Sequence, residues 1–548
     1  MSSLREFCTH RRVMVCASAI LLSPLLLLAL QIGRPFHIDD ALYVQWARSI
    51  AVHWADPYAG WTNWHGVSEP MVSAMRNPPL LGWTLALFGS AAGWSERCLH
   101  SAQLIPAALF LAAAFGLARR WSSRPLIALA ICACSPAFLL MGATIMADML
   151  MSAAWTCAVY FWCRVPTRWS SAFGAAAVLV AGFTKWYGLA LIPLLLAWEL
   201  MSVMRITRRC AWLALPLLLT LAHDGWVSSV HGISMFGHAA TTAATGESLH
   251  VHPALHVWLG LAFLGGSCAG ILLLLPMLLR THVWTLGALA ATAVIAACFA
   301  ASQLSAWPAL AAASATEQWI IAAELGVLGF AGASVLALTF KGAWSGGPEA
   351  RVLGLWIAGT FLFGAFLNWA ILVRSFLPAL PALAIVTANA IDAAPFSTRP
   401  LGRMALVIGL VCGGWLGFEV LRADNEVANE ARESAQSLAM NRATDRLWFQ
   451  GHWGFQHYVE AAGGKAMDRE HEFVRSGDTI LVPMLNTNVF GVAEDSVRIV
   501  DRRIIPLQSR FVVMGPRSGA GFWAHTLGPL PFGWNLGDVA ETWVLERR

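Results

Sequence analysis

Charged side chains are scarce in this sequence. Asp, Glu, Lys and Arg make up 12% of its 548 residues, whereas 57% are hydrophobic; a soluble domain carries about 25% charged residues. This deficit excludes an ordinary soluble protein and predicts an integral membrane protein built mostly of membrane-spanning helices. The net charge of +5 is small and spread along the chain, so it does not indicate a nucleic-acid partner.

Two familiar cysteine and signal-sequence patterns are also missing. The eleven cysteines include no Cys-x-x-Cys pair, which argues against a zinc ribbon or a thioredoxin-like site, and nearly all lie in apolar runs, where they act as small hydrophobic residues. No small-residue cleavage site follows the apolar run 13–31. That run is long enough to cross a bilayer, so we expect an uncleaved first span with its N-terminus inside.

The basic residues between the apolar runs predict the topology, because cytoplasmic loops are enriched in Lys and Arg. Roughly 40 to 70 mostly apolar residues separate consecutive basic loops, which is room for two spans of about 20 residues each. The thirteen predicted spans lie near 13–31, 98–118, 125–145, 148–163, 170–186, 187–204, 210–226, 256–279, 283–301, 318–340, 352–372, 376–394 and 402–421. An odd number places the C-terminus outside.

The tail differs in character from the rest of the chain. Short β-type runs such as DTILVPML, SVRIVDRRIIPL, RFVVMGP and TWVLER follow a charged, helix-like stretch. We therefore expect a polytopic α-helical membrane domain over residues 1–421 and a small α/β domain over 422–548. No repeat of fixed period and no inverted repeat of the transporter kind is evident.

Charged residues recur at the predicted outer turns. Two adjacent carboxylates, Asp39 and Asp40, follow the first span, and later outer turns hold Asp148, Lys185 and Arg374. A charge at the centre of a membrane helix costs on the order of 2.5–3.5 kcal/mol and marks a functional site by default. Because all five residues are predicted on the same side of the membrane, we expect them to share one site.

Each of these residues also has a purely structural interpretation. The two aspartates can cap the helix that follows them, and Asp148 can cap a helix at its turn. Lys185 and Arg374 can be interfacial anchors whose charges reach water. A functional site is favoured because all of these charges emerge on one side.

The predicted first outer loop, 32–97, contains two short apolar helices that are too short to span. Pro78 and Pro79 end any preceding helix and start the second one, since proline is favoured in a first helical turn. We expect both helices to lie along the outer membrane surface.

Histidines in and beside the loop 227–255 offer metal ligands without a carboxylate or cysteine partner, and His37 and His65 lie closer to Asp39.

A carboxylate beside Lys and Arg at the outer face suits one reaction in particular. The cations can neutralise the phosphate of a lipid-linked sugar, and the carboxylate can accept the proton of an attacking hydroxyl. Attack at the sugar C1 with polyprenyl phosphate as the leaving group would invert the anomeric centre. The residues alone make this reaction plausible but not unique.

Five motifs in this order resemble the GT-C glycosyltransferases, especially the protein O-mannosyltransferase-like group (glycosyltransferase family 39) that includes the lipid A aminoarabinose transferase. They are DDALYVQWA, RNPPLLGWTLALFG, ADMLMSAAW, GFTKWYGLALIPLLL and VRSFLPALPALAI. The later stretches WFQGHWGFQHYVEAAGG and GFWAHTLGPLPFG look like the periplasmic domain of bacterial members. The resemblance is distributed over most of the chain and implies a GT-C fold, for which thirteen spans are usual.

The resemblance assigns roles to individual residues. It implies that Asp39 is the catalytic base or a metal ligand, with Asp40 beside it, and that Asp148 orients the acceptor or a metal. Lys185 and Arg374 would contact the donor phosphate. A divalent metal ion bound by Asp39 and Asp148 is left open, and no other cofactor is implied.

Two positions depart from the family's pattern. Asn77 stands where a His or Lys is usual, so the neighbouring Arg76 is the candidate for that charge, and Ser375 stands in place of a Tyr. Arg76, Asn77, Tyr43 and His65 complete the predicted substrate-binding set.

We expect a bacterial inner-membrane enzyme that transfers a sugar from polyprenyl phosphate to a glycan, lipid or protein acceptor at the periplasmic face. The alternative is a lipid-linked glycan transporter or flippase, which needs a polar path through the bilayer.

Overall fold

The computed structural model describes residues 2–245, 251–275, 278, 283–394, 399–440, 442–470 and 474–548. Each of the thirteen predicted spans coincides with helical segments of this part of the chain. Nine segments are long and apolar enough to cross a membrane: Val13–Leu30, Glu96–Trp121, Trp186–Val203, Arg208–His231, Gly287–Ala306, Ala315–Ser345, Pro348–Leu367, Val373–Ala393 and Pro400–Met440. The predicted polytopic α-helical membrane protein is confirmed.

The other four predicted spans are shorter or broken. Pro125–Ala133 and Pro136–Ala143 form a pair bent by 54° that can count as a tenth span. Ala147–Trp162, Arg168–Thr184 and Pro253–Ser267 have 16, 17 and 15 residues. At 1.5 Å per residue, such helices measure roughly 23 to 26 Å, less than the hydrocarbon core of about 30 Å. The described residues therefore contain nine or ten full-length spans in place of thirteen.

Local sequence signals explain where several helices begin. Ser95, Ser135, Thr167 and Ser314 each accept a hydrogen bond from a backbone N–H of the first turn that follows, as helix-capping hydroxyls do. Ser314 and Glu317 form a full capping box. These caps fix the turns between helices without burying unpaired backbone groups.

The first loop contains the two predicted short helices, Asp40–Val52 and Leu80–Ala92, with a four-residue helix, Met71–Ala74, between them. A two-stranded hairpin pairs Trp61–Thr62 with Glu69–Pro70. The two longer helices touch where Gly82 faces Trp46 and Ile50, and a Cβ atom at Gly82 would lie 2.6 Å from the Ile50 side chain. Close packing at a glycine therefore joins the two helices.

The last helix, Pro400–Met440, is 41 residues long and extends 19 residues beyond the predicted end of the last span at 421. The predicted domain boundary at 422 thus falls inside a continuous helix. A smaller helix, Met235–Thr245, follows Ala214–His231 near the outer loop. Within the tail, one further α-helix spans Trp453–Ala461.

The tail contains a five-stranded mixed sheet. Its strands lie in the order Lys465–Ala466, Leu447–Phe449, Thr479–Pro483, Val539–Arg547 and Val497–Pro506. The first three are parallel neighbours, and the last two pair antiparallel. The small α/β unit and three of its predicted strands are confirmed, whereas RFVVMGP forms only the two-residue strands Phe511–Val512 and Met514–Gly515.

The residues between the last two long strands of the sheet fold back onto the membrane helices. Phe522 and Trp523 belong to the same buried cluster as the membrane helices. The Ile371 carbonyl accepts a hydrogen bond from the His525 N–H, and the Trp307 indole donates to the His525 carbonyl. The tail is therefore attached to the membrane domain by this returning segment as well as by the continuous helix Pro400–Met440.

A buried ion pair connects the first loop, the long helix and the tail. Arg34 Nη2 lies 2.6 Å from Asp424 Oδ2, and both side chains are almost fully buried. The Trp523 indole donates to Asp424 Oδ1 at 2.9 Å, and His37 Nε2 lies 3.5 Å from the same oxygen. One carboxylate of the long helix thus contacts two separate parts of the chain, the first loop and the returning segment of the tail.

We expect Asp424→Asn to lower the stability of the protein by about 3–5 kcal/mol, because it leaves the buried Arg34 charge uncompensated. The shift can be measured as the thermal unfolding midpoint in detergent. Glu546→Gln is the matched control, since its partner Arg498 is 62% exposed and such pairs contribute about 0–1 kcal/mol. Equal shifts for the two variants would contradict the structural role of Asp424.

Candidate active site

One cavity of about 640 Å³ lies between the first loop, the membrane helices and the tail. Eight of the nine predicted site residues line it. They are Asp39, Tyr43, His65, Arg76, Asn77, Asp148, Lys185 and Arg374. The fold thus brings together side chains that are up to 335 positions apart in the sequence.

Asp39 stands at the N-terminal boundary of the helix Asp40–Val52, and its side chain makes no capping hydrogen bond. Its carboxylate instead accepts a bond of 2.8 Å from Arg374 Nη1 and keeps 27% of its side-chain surface exposed. The preceding Ile38 has a φ of +47°, a left-handed conformation that is unusual for a β-branched residue. Such backbone strain is typical of functional sites. The strained residue here directly precedes Asp39, which is more exposed than Asp148, the carboxylate of the other ion pair in the cavity.

The structure places the two adjacent aspartates, Asp39 and Asp40, in different surroundings. Asp40 is fully buried and does not line the cavity. Its Oδ2 accepts from the backbone N–H of His37, and its Oδ1 accepts from that of Ile145 at 2.7 Å. These two hydrogen bonds fix the first loop to the segment before Asp148.

Asp148 and Lys185 form the second ion pair of the cavity, with Lys185 Nζ 2.8 Å from Asp148 Oδ1. Asp148 lies in the first turn of the helix Ala147–Trp162, where the helix dipole favours a negative charge. Lys185 is an extended residue between the helical segments Arg168–Thr184 and Trp186–Ala190. A Cβ atom at Gly188 would lie 2.3 Å from the Ala181 carbonyl, so only glycine allows this close return of the chain.

Tyr43 lies between the two carboxylates. Asn77 Nδ2 donates to the Tyr43 hydroxyl at 3.0 Å. Burial raises the pKa of Tyr43, and the negative charges of Asp148 and Asp39 raise it further. Tyr43 is therefore a neutral hydroxyl at physiological pH, suited to hydrogen bonding. Asn77 holds this hydroxyl in place, which gives the predicted departure from the family's His or Lys a specific role.

Arg76 and His65 are exposed residues of the cavity wall. Arg76 Nε donates to the Ser73 carbonyl at 2.9 Å, and its guanidinium contacts His238. His65 Nδ1 lies 2.5 Å from Glu69. Arg76 thus adds a third cationic side chain to those of Lys185 and Arg374.

Ser375, the other departure from the pattern of the family that the motifs resemble, also lines the cavity and accepts a hydrogen bond from Asn368.

Sequence reasoning missed the contribution of the tail to this cavity. Six of the residues that it supplies are His452, Trp453, Thr487, Asn488, Trp523 and Thr526. The stretches WFQGHWGFQHYVEAAGG and GFWAHTLGPLPFG contain four of them, so the motif resemblance carried a signal. Thr487 and Asn488 follow a predicted strand and had none.

His452 is held by its neighbours on both ring nitrogens. Asn488 Nδ2 lies 2.7 Å from Nδ1, and Thr487 Oγ1 lies 2.9 Å from Nε2. Burial lowers the pKa of His452 to about 3, and the nearby His65 contributes to the same shift. The imidazole is therefore neutral at physiological pH.

The donor set fits a resident divalent cation poorly. Asp39 and Asp148 are each bonded to a fixed cationic side chain. Among the residues that the structure describes, no group of three His, Cys, Asp or Glu side chains could hold a metal ion; His250 lies outside the described residues. We therefore derive no step through a metal from these residues.

No protein-family profile and no curated protein matches the chain. Solved structures do match. ArnT from Cupriavidus metallidurans bound to undecaprenyl phosphate is 13% identical, with 86% of this chain and 93% of that chain covered and a TM-score of 0.42. The Archaeoglobus fulgidus oligosaccharyltransferase in the apo form is 13% identical, with 82% and 65% covered and a TM-score of 0.45.

A second structure from Archaeoglobus fulgidus, the oligosaccharyltransferase AglB in complex with an inhibitory peptide and a dolichol-phosphate, is 13% identical. The superposition with AglB covers 82% of this chain and 64% of the AglB chain, with a TM-score of 0.46. The solved structures thus include the kind of protein that the sequence motifs resemble. Because these TM-scores are below 0.5, we argue the function from the cavity itself.

Substitution by asparagine should affect the stability of the protein differently at the two adjacent aspartates, Asp39 and Asp40. Asp40→Asn replaces one of the two acceptor oxygens by an NH₂ group, which then faces a backbone N–H donor. The buried N–H group loses its acceptor, which costs about 1–3 kcal/mol. Asp39→Asn removes one contact at a half-open position and should shift the unfolding midpoint much less. A larger loss of stability in Asp39→Asn than in Asp40→Asn would refute these roles.

The neutral His452 predicts sensitivity of the folded protein to acid. The native state takes up this proton only near pH 3, whereas an unfolded histidine takes it up near pH 6.5. The unfolded state therefore binds more protons between these values, and native stability falls as the pH drops from about 6.5 toward 3.

This dependence can be measured as the fall in unfolding midpoint between pH 7 and pH 5. His452→Gln should reduce the fall, whereas the same change at the exposed His53 should leave it intact. An unchanged fall in His452→Gln would exclude His452 as a source of the acid sensitivity.

Proposed function

We propose that this protein is a membrane glycosyltransferase that moves a sugar from a polyprenyl-phosphate donor to an acceptor hydroxyl or phosphate. The observation that carries the proposal is the presence of two carboxylate–cation pairs, Asp39–Arg374 and Asp148–Lys185, on the wall of one cavity. A lipid phosphate needs cations, and an attacking hydroxyl needs a base. The cavity supplies both within one space.

The binding step uses the cationic side chains. Arg374, Lys185 and Arg76 attract the phosphate, and the guanidinium groups can each donate two parallel hydrogen bonds. When the phosphate engages Arg374, the bond between Arg374 and Asp39 weakens. Donor binding would therefore release the Asp39 carboxylate for a new partner.

The transfer step is a single displacement. The acceptor oxygen forms a bond to the sugar C1 while the bond from C1 to the phosphate oxygen breaks, and the acceptor proton passes to an Asp39 oxygen. Polyprenyl phosphate leaves with an additional negative charge, which Lys185 and Arg374 stabilise where it develops. Attack opposite the leaving group inverts the anomeric centre.

Asp148 and Tyr43 complete this arrangement. Asp148 is almost completely buried beside Lys185, so it holds the ammonium in the cavity and prevents it from turning toward water. The neutral Tyr43 hydroxyl is a hydrogen-bonding group for a substrate oxygen between the two carboxylates. An enzyme of this kind would work in a bacterial inner membrane, with the cavity and the tail facing the periplasm.

The decisive test is Asp39→Asn in membrane vesicles supplied with a radiolabelled polyprenyl-phosphate sugar. Loss of a general base should lower the transfer rate by about 10²- to 10⁴-fold while expression is unchanged. Asp56→Asn is the matched control, because Asp56 lies in the same loop with a similar exposure of 30% and outside the cavity. Transfer that survives in Asp39→Asn would refute the base assignment.

The same vesicles separate a transferase from a lipid-linked glycan flippase. Wild-type vesicles that translocate a labelled lipid-linked sugar without transferring it would support the flippase. Lys185→Gln should weaken binding of undecaprenyl phosphate in either case, so it tests the phosphate site independently of the chemistry.

A further inference from the structure

The tail places one hydroxyl group on the cavity wall in a fixed orientation. Asn488 Nδ2 donates to the Trp64 carbonyl at 2.8 Å, which identifies this atom as the amide nitrogen. The same Nδ2 lies 2.7 Å from His452 Nδ1, so Nδ1 is the acceptor of the ring. A neutral histidine then carries its proton on Nε2.

His452 Nε2–H therefore donates to Thr487 Oγ1, at 2.9 Å. A hydroxyl that accepts in this way still has its own hydrogen to donate. Thr487 lines the cavity, and among the described residues its hydroxyl has no second protein partner. The hydrogen is thus available to an oxygen of a bound molecule.

The surroundings of Thr487 suit a carbohydrate. The rings of Trp64 and His452 lie 4.4 Å apart, and Trp453 meets His452 edge-on at 5.1 Å. Both tryptophans line the cavity beside the hydroxyl. An aromatic surface next to a directed hydrogen-bond donor offers contacts to both the C–H face and an oxygen of a sugar ring.

The backbone supports a dedicated arrangement. Trp453 and Asn488 have φ values of +65° and +57°, in the left-handed region that few non-glycine residues adopt. Asn486 holds this turn to the sheet by accepting from the His452 N–H and donating to the His452 carbonyl, both at 3.0 Å. Strained residues held by surrounding bonds are typical of binding sites.

We propose that Thr487 is a specificity residue that donates a hydrogen bond to a hydroxyl or ring oxygen of a sugar in the cavity. This inference rests on the proposed transferase function and adds that the tail itself recognises the carbohydrate. The sugar can belong to the lipid-linked donor or to a glycan acceptor, and the experiment distinguishes the two. His452 acts through Thr487 and is a positioning residue.

The test compares Thr487→Val, which removes the hydroxyl at nearly constant size, with Thr487→Ser, which keeps it. Binding of undecaprenyl phosphate and of undecaprenyl-phosphate-linked glucose, mannose and 4-amino-arabinose is measured on the purified full-length protein in detergent. Transfer kinetics in vesicles give KM for the acceptor. Thr479→Val is the control for the same change in the preceding strand, Thr479–Pro483, away from the cavity.

If Thr487 binds the donor sugar, Thr487→Val should weaken binding of the preferred sugar lipid about tenfold, the value of a lost hydrogen bond of about 1.4 kcal/mol. Binding of undecaprenyl phosphate should not change, and Thr487→Ser should restore the affinity. If Thr487 binds a glycan acceptor, both lipids bind normally and KM for the acceptor rises instead.

Equal lipid binding and equal acceptor KM in Thr487→Val and wild type would overturn the inference. So would an equal loss for undecaprenyl phosphate and the sugar lipids, because the effect would then not concern the sugar. A wild-type protein that neither binds these lipids nor transfers a sugar would refute the proposed function instead. The two failures are therefore distinguishable.

Discussion

The buried pair of Arg34 and Asp424 determines how the parts of this protein meet. A charge removed from water is tolerated only when a partner of opposite charge and further hydrogen bonds satisfy it. Asp424 meets this requirement with groups from the first loop and from the returning tail segment, at Arg34, His37 and Trp523. Because Trp523 also lines the cavity, the contact that joins these parts also contributes to the cavity wall.

Within the cavity, charge is balanced before any substrate arrives. Asp39 with Arg374 and Asp148 with Lys185 form two neutral pairs, and Arg76 adds an exposed positive charge. An anionic ligand that binds Arg374 or Lys185 must therefore compete with a carboxylate for that cation. In the proposed reaction, this competition would couple binding of the donor phosphate to release of the Asp39 carboxylate.

The sequence predicted the helical membrane domain, the small α/β unit and eight of the residues that line the cavity. It could do so because unpaired charges at the ends of apolar runs are rare and costly. It did not separate Asp39 from Asp40, because adjacent residues share every sequence signal and differ only in their partners in the fold, Arg374 for Asp39 and two backbone N–H groups for Asp40. Four of the thirteen predicted spans correspond to helices that are short or bent in the described part of the chain, such as Ala147–Trp162, because apolar character alone does not set the length of a helix.

The contribution of the tail was the hardest part to foresee. Thr487 and Asn488 are ordinary loop residues in the sequence, and Asn488 is held by the Trp64 carbonyl, 424 positions away. No local pattern encodes such a contact. The motif around His452 gave a partial signal, but only the fold shows that it reaches the cavity.

The unbroken helix Pro400–Met440 has a geometric consequence for the evolution of this protein. An α-helix turns by about 100° and rises 1.5 Å with each residue. One residue inserted between Asp424 and the end of the helix would rotate the sheet by that angle and turn Thr487 away from the cavity. The length of this segment is therefore fixed far more strictly than its composition, and related chains should vary here by substitution rather than by insertion.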